Sequence, residues 1–332
     1  MKYIEVNLQA TPVARRRQRL QRMAWVCAAM VLLITCLSAF LRLSKAGLDC
    51  EPWPQCYAQA QQATGADTPT TPAQGATASA RMAHRVVASA SLLLVLAMLA
   101  TALASRPALW PEGRLALCIL GLALFLAVLG RWTAQSRLPA VTLGNLLGGF
   151  AMLALSVRLA LVATAPSAAR PGAVPLAPWA WLAGLVLLVQ VALGGLVSAG
   201  HVGLSCPATG GCDLAAGSWQ ALNPWLEPPS GALPTRAEGA WVHLLHRAGG
   251  LLLTAVLWLL AWRSWRLGQR KAAALLVCLP AALAALGLAM VARELPLALV
   301  LVHNTGSALL LALLWGLTVP RLRGKRSLSP AL

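Results

Sequence analysis

A chain of 332 residues that is 58% hydrophobic and only 11% charged is far too apolar for a soluble domain. Its formal net charge of +18 would suit a nucleic-acid binder, but the basic residues fall in short clusters between apolar runs, which excludes nucleic acid as the partner.

A membrane span needs roughly 20 apolar residues, and eight such runs follow one another: about 24–43, 82–104, 114–132, 139–163, 177–199, 240–262, 272–292 and 296–319. The first 22 residues, with "ARRRQRLQR", read as a short cytoplasmic tail. No small-residue cleavage site follows the first run, which is also too long for a signal core. An even number of spans puts both termini on one side. That side then holds 18 of the 27 lysines and arginines with Glu5 and Glu112, against 9 basic and 7 acidic residues opposite. Excess positive charge marks the cytoplasmic face, so both termini are expected in the cytoplasm.

The segments between and within the runs repeat. The first span is followed by "AGLDCEPWPQC" (46–56) and the fifth by "VGLSCPATGGC" (202–212). The second span opens with "MAHRVVAS" (82–89) and the sixth carries "LLHRAGGL" (244–251). The fourth opens with "TLGNLLGGFAMLAL" and the eighth with "VLVHNTGSALLLAL". Three matches in one order divide the chain near the Pro/Ala-rich "APSAARPGAVPLAP" (165–178). The expected fold is an all-α integral membrane protein, with eight transmembrane helices forming two tandem parallel four-helix bundles, residues 1–170 and 171–332.

Both paired cysteines, Cys50 with Cys56 and Cys206 with Cys212, lie in outer loops where oxidising conditions permit disulfides. A metal site is the rival reading, but neither loop adds a histidine at ligand spacing. A redox role for one pair stays open. The cysteines inside the spans, Cys27, Cys36, Cys118 and Cys278, read as small apolar fillers.

The histidines carry the chemistry. His84 opens the second span, and His246 and His303 lie about 7 and 8 residues into the sixth and eighth, roughly 10–12 Å below the outer helix ends. A lone intramembrane histidine is as often a hydrogen-bonded packing residue as a ligand. A set that recurs in both repeats points to function, because ionisable groups inside a membrane are costly. The spans hold almost no carboxylate, which disfavours a hard cation. Two imidazoles in an apolar bundle suit haem iron. Gly249 and Gly250 are expected to admit a flat macrocycle beside His246. Arg247 and Arg85 suit haem propionates, with snorkelling to headgroups as the plain alternative. His243, one turn above His246, is expected to hydrogen-bond a propionate rather than bind iron. His201, in a loop, reads as solvated.

With "RLSKAGLDCEPWPQC", "GGLVSAGHVGLSCPATGGC", "VHLLHR", "VTLGNLLGG" and "LVHNTGSALLL" in this order, the chain resembles the haem A synthase family over nearly its whole length, in the form with paired cysteines. The resemblance implies two four-helix bundles in tandem. It implies haem b as cofactor between His246 and His303. It implies haem O as substrate in the N-terminal half, its C8 methyl group being oxidised to a formyl group to give haem A. The implied setting is the cell inner (plasma) membrane, with a membrane electron donor, and with haem O synthase and cytochrome oxidase assembly proteins as partners. A homo-oligomer stays open. The family pattern has a second N-terminal histidine where this chain has Asn145, and a glutamate where it has Arg81. His84, Asn145 and Arg81 are therefore the expected catalytic set, with His84 on the substrate iron. The alternatives are a b-type cytochrome that only carries electrons, a haem-binding oxidase assembly factor without activity and, remotely, a transporter.

Overall fold

The computed structural model describes residues 11–45, 72–133, 136–164, 176–229 and 235–319. Among these residues the chain is helical without strands, and eight helices are long and apolar enough to cross a membrane. They are α1 (Pro12–Lys45), α2 (Pro72–Leu103), α3 (Trp110–Thr133), α4 (Pro139–Thr164), α5 (Ala177–Ala199), α6 (Ala240–Arg266), α7 (Arg270–Ala292) and α8 (Leu297–Leu317). Each carries one of the apolar runs expected from the sequence.

Two helices extend well beyond their apolar runs. The basic segment before the first run is part of α1, not a tail. Its helical register lets Arg16 donate to the carbonyls of Thr101, Ala102 and Pro107, at the C-terminal end of α2 and just beyond it. The same register sets Arg17 against Glu112 in the first turn of α3, at 2.9 Å. The second extension is in α2, which starts at Pro72 and runs through "QGATASA". Alanine is the strongest helix former and proline suits a first turn, so this stretch continues the span outward. His84 consequently sits twelve residues from the helix start rather than at it.

Neighbouring helices pack in sequence order. The pairs α1–α2, α2–α3, α3–α4 and α4–α1 close one ring, and α5–α6, α6–α7, α7–α8 and α8–α5 close another. Contacts of α4 with α5 and α8, and of α1 with α8, join the rings. Packed against four neighbours, α4 is enclosed all round, with Phe150, Leu159, Ala154 and Ser156 buried on different faces. The seam uses small and polar contacts, as membrane interfaces do. Cys36 on α1 meets Thr305 on α8 at 3.3 Å. Arg158 on α4 donates to the Trp315 carbonyl and the Thr318 hydroxyl at the C-terminal end of α8. Both partners thus lie near the C-terminal ends of their helices, so α4 and α8 run parallel in closely matched register. Of the cysteines inside the spans, Cys27 is buried beside Ser156, while Cys118 and Cys278 face outward.

Candidate functional site

On α2 the buried positions Ser91, Val95, Met98 and Ala102 recur at steps of three and four. His84 lies two turns back on the same stripe, so it faces into the first ring. Its Nε2 lies 2.8 Å from the hydroxyl of Ser38 on α1. Asn145, half-buried, is on α4, the helix diagonal to α2. Arg81 and Arg85 are exposed. Sequence reading misses Ser38; the repeat contains its counterpart, since Ser38 and Gly194 both stand twelve residues before the first cysteine of their loops.

The second ring repeats the plan with different side chains. His246 and His303 are each the seventh residue of their helices, as Asn145 is of α4. Their helices α6 and α8 are diagonal in the ring. His303 continues the stripe Leu310, Leu314 and Leu317 two turns toward the start of α8. His246 is held from α5: the amide nitrogen of Gln190 lies 3.0 Å from its Nδ1 and 2.7 Å from its carbonyl oxygen. Gly194, one turn on from Gln190, leaves room for the ring. A Cβ there would come within 2.8 Å of the His246 Cε1. Sequence reading does not single out Gln190 either, although it is the lone amide in an apolar span.

Gly249 and Gly250 have another job than the one expected. A Cβ on Gly249 would overlap the Gln190 amide and one on Gly250 would touch it, so these glycines make room for that side chain. Arg247 reaches up instead of across. It donates to the carbonyls of Cys206 at 3.2 Å and Pro207 at 2.8 Å. It thereby ties α6 to the loop closed by the Cys206–Cys212 disulfide, whose Cα atoms are 4.7 Å apart. The bridge closes a short loop, so its loss through Cys206→Ser should lower stability by about 2 kcal/mol. In untreated protein, Cys206 and Cys212 should resist alkylation and label fully after reduction; mass spectrometry reads both states. The Cys50/Cys56 loop lies outside the described residues.

The segment between α5 and α6, which carries the Cys206–Cys212 bridge, lies over the N-terminal ends of α4 and α6. Trp219 stacks on Trp241 with ring centroids 4.3 Å apart, the Pro224 carbonyl accepts from the Ala140 amide, and Arg137 donates to the Pro228 carbonyl. His201 is not simply solvated. It is half-buried in this cover, and burial pushes its imidazole below the ordinary value, with Arg236 and Arg137 acting the same way. A lowered folded value means that the folded state binds fewer protons than the unfolded one. The stabilisation is complete above the ordinary value of about 6.5 and declines as the pH falls through it. Thermal melts at about pH 7.5 and 5.5, either side of that value, should show a smaller acid-side loss in His201→Gln than in the native chain.

The donor set indicates which group fits. Among the described residues no three His, Cys, Asp or Glu side chains cluster as they would around a bare metal ion. Two imidazoles on diagonal helices suit an iron whose other positions a macrocycle fills. Several buried polar atoms there have no partner: Nδ1 of His303, Nδ1 of His243, Oε1 of Gln190 and Nδ2 of Asn304. Each costs about 1–3 kcal/mol, a penalty expected where a ligand completes the site. Gln190 also orients His246. Its one amide nitrogen donates both to the His246 carbonyl oxygen and to Nδ1, which fixes how the ring is turned.

Two likenesses to known proteins accompany this geometry. Residues 21–315 match the model of the COX15-CtaA family, described as cytochrome oxidase assembly protein. Over 309 residues the chain is 34% identical to a heme A synthase of Shewanella oneidensis, covering 86% of this chain and 92% of that protein.

Proposed function

Because the chain belongs to the cytochrome oxidase assembly family, as a multi-pass membrane protein with eight apolar spans, we propose that it is a haem A synthase working in haem A biosynthesis for cytochrome oxidase. The substrate is haem O, and the reaction oxidises its C8 methyl group to a formyl group. The division of labour follows the repeat: residues 171–332 hold haem b and residues 1–170 hold the substrate. The single observation that best supports this is the pair His246 and His303 at equal depth on diagonal helices, with Gln190 fastened to the first.

Bound haem b supplies one-electron transfer. The protein's own groups do the rest. His246 and His303 would hold the haem from the diagonal helices α6 and α8, Gln190 fixes the His246 ring, and Gly194 admits it. His243 stands one turn outward with an unpartnered Nδ1, suited to a carboxylate. The loop closed by Cys206–Cys212 and tied down by Arg247 restricts water at that end. In the other half His84 is the one histidine available to the substrate iron. Ser38 holds it while the site waits, and Asn145 and Arg81 supply a donor and a charge.

The positive-inside pattern supports cytoplasmic termini and cysteine loops on the outer face of the inner (plasma) membrane. Haem O synthase and oxidase assembly proteins are the expected partners, with electrons from a membrane donor. A second reading, a b-type cytochrome that carries electrons only, draws on Asn145 standing where the family pattern has histidine. Extracting haems from membranes with and without the gene separates the two. The synthase reading requires loss of haem A and accumulation of haem O in the deletion; unchanged haem A would sink it.

A further inference from the structure

Arg42 belongs to α1, next to the last residue of its span, Leu43. The residue is half-buried, and its Nε is fully enclosed with no hydrogen-bond partner. Among the described residues the ion pair is Arg17 with Glu112, far along the same helix, and no carboxylate faces Arg42. Leaving a guanidinium nitrogen enclosed and unpaired is costly in a membrane protein. A snorkelling arginine avoids that cost by turning its whole head to water or headgroups; Arg42 does not.

Its position gives the cost a purpose. Arg42 follows Ser38 by four residues, so both lie on one face of α1, about 6 Å apart along the axis. Ser38 is the residue that touches His84. A guanidinium with its Nε enclosed and unpartnered therefore stands one turn beyond Ser38, on the side of the C-terminal end of α1. A macrocycle held at His84 through its centre would extend its acidic edge about that far. Arg81 and Arg85, the arginines that the sequence offers for this work, are exposed on α2. The C-terminal half has no arginine at the matching position. Ser198 stands there, eight residues before Cys206 as Arg42 is before Cys50, and Arg247 is spent on the loop carbonyls.

We infer that Arg42 is the carboxylate anchor of the N-terminal half, pairing with a propionate of the porphyrin bound at His84. This rests on the reading that His84 receives the substrate. Anchoring one propionate fixes the rotation of the ring about the iron–His84 axis, and hence which methyl group is presented for oxidation. A planar guanidinium suits this because it grips a carboxylate by two parallel hydrogen bonds, where an ammonium would only attract it.

The test uses the full chain in detergent, with haem b already bound at His246 and His303. Zinc protoporphyrin IX and its dimethyl ester are titrated as probes and followed by fluorescence. The native protein should prefer the diacid. Arg42→Ala and the apolar, similarly long Arg42→Met should weaken diacid binding by about tenfold to a hundredfold and leave the ester unchanged. Arg42→Lys should recover part of the loss. Without ligand, Arg42→Met should melt higher, by about 2 °C, because a charged group with an enclosed, unpartnered Nε is gone. An intact haem b spectrum verifies that each variant is folded. Diacid binding that depends on His84 but is unchanged in both Arg42 variants would overturn the anchor alone. Binding unaffected by His84→Ala, or no binding to the native protein, would overturn the anchor together with the His84 reading.

Discussion

Purified protein is expected to carry low-spin haem b, and His246→Ala or His303→Ala should abolish that spectrum. The expectation follows from placement. Each residue is the seventh of its helix, and the helices are diagonal, so the imidazoles approach from opposite sides. With one of them removed, a single histidine would remain to hold the haem, which would turn high-spin and be readily lost in detergent. Removing both should leave no stoichiometric haem b in that half. Optical and electron paramagnetic resonance spectra read the spin state, and pyridine haemochrome reads the content. Gln190→Leu should act more mildly. It leaves both ligands but frees the His246 ring, at a cost of about tenfold to a hundredfold in affinity, the range seen when a group orienting a metal ligand is lost. A low-spin spectrum persisting in the double histidine variant would remove the ligand assignment and the division of labour built on it.

Much of the architecture was legible in the sequence because membrane spans obey a coarse rule. Eight apolar runs became eight spanning helices, since lipid leaves an isolated backbone no alternative to helical hydrogen bonding. The helix ends were less legible. Apolarity marks the lipid-crossing part only, so the basic start of α1 reads as a tail and the alanine-rich start of α2 falls outside its span. The histidines stood out because an imidazole among leucines is costly. What holds them did not. Ser38 and Gln190 act through contacts between helices 46 and 56 residues apart in the chain, and no local pattern encodes such a pair. The glycines show the same limit from the other direction. "HRAGG" signals that something approaches α6 closely, but a macrocycle and the Gln190 amide leave the same mark in sequence. Likewise Arg247 reads as a propionate partner or a snorkelling cation until the loop carbonyls it bonds are placed.

His84→Ala is expected to end haem A formation while the haem b spectrum persists. The N-terminal ring offers one imidazole, on α2, and Asn145 on the diagonal helix α4. An amide is a poor iron ligand and a fair hydrogen-bond donor, so the substrate would be held from one side and left open on the other. An open side is what an oxidation of the porphyrin's own methyl group needs, whereas the closed pair His246 and His303 suits a haem that only passes electrons. Loss of His84 removes the one fixed bond to the substrate and with it the alignment of the methyl group, a fall of at least about a hundredfold. Asn145→Leu keeps the bond and the volume but removes the donor, and should cost about a hundredfold as well. Ser38→Ala should be far milder, since the hydroxyl must in any case release Nε2 when the iron arrives; the same contact predicts a His84 ring less ordered in the empty variant. Haem extraction from cells supplied with haem O measures the product, and the haem b spectrum of the same membranes shows that the other half is intact. Haem A made at the native rate by His84→Ala would mean that the N-terminal half is not where the methyl group is oxidised.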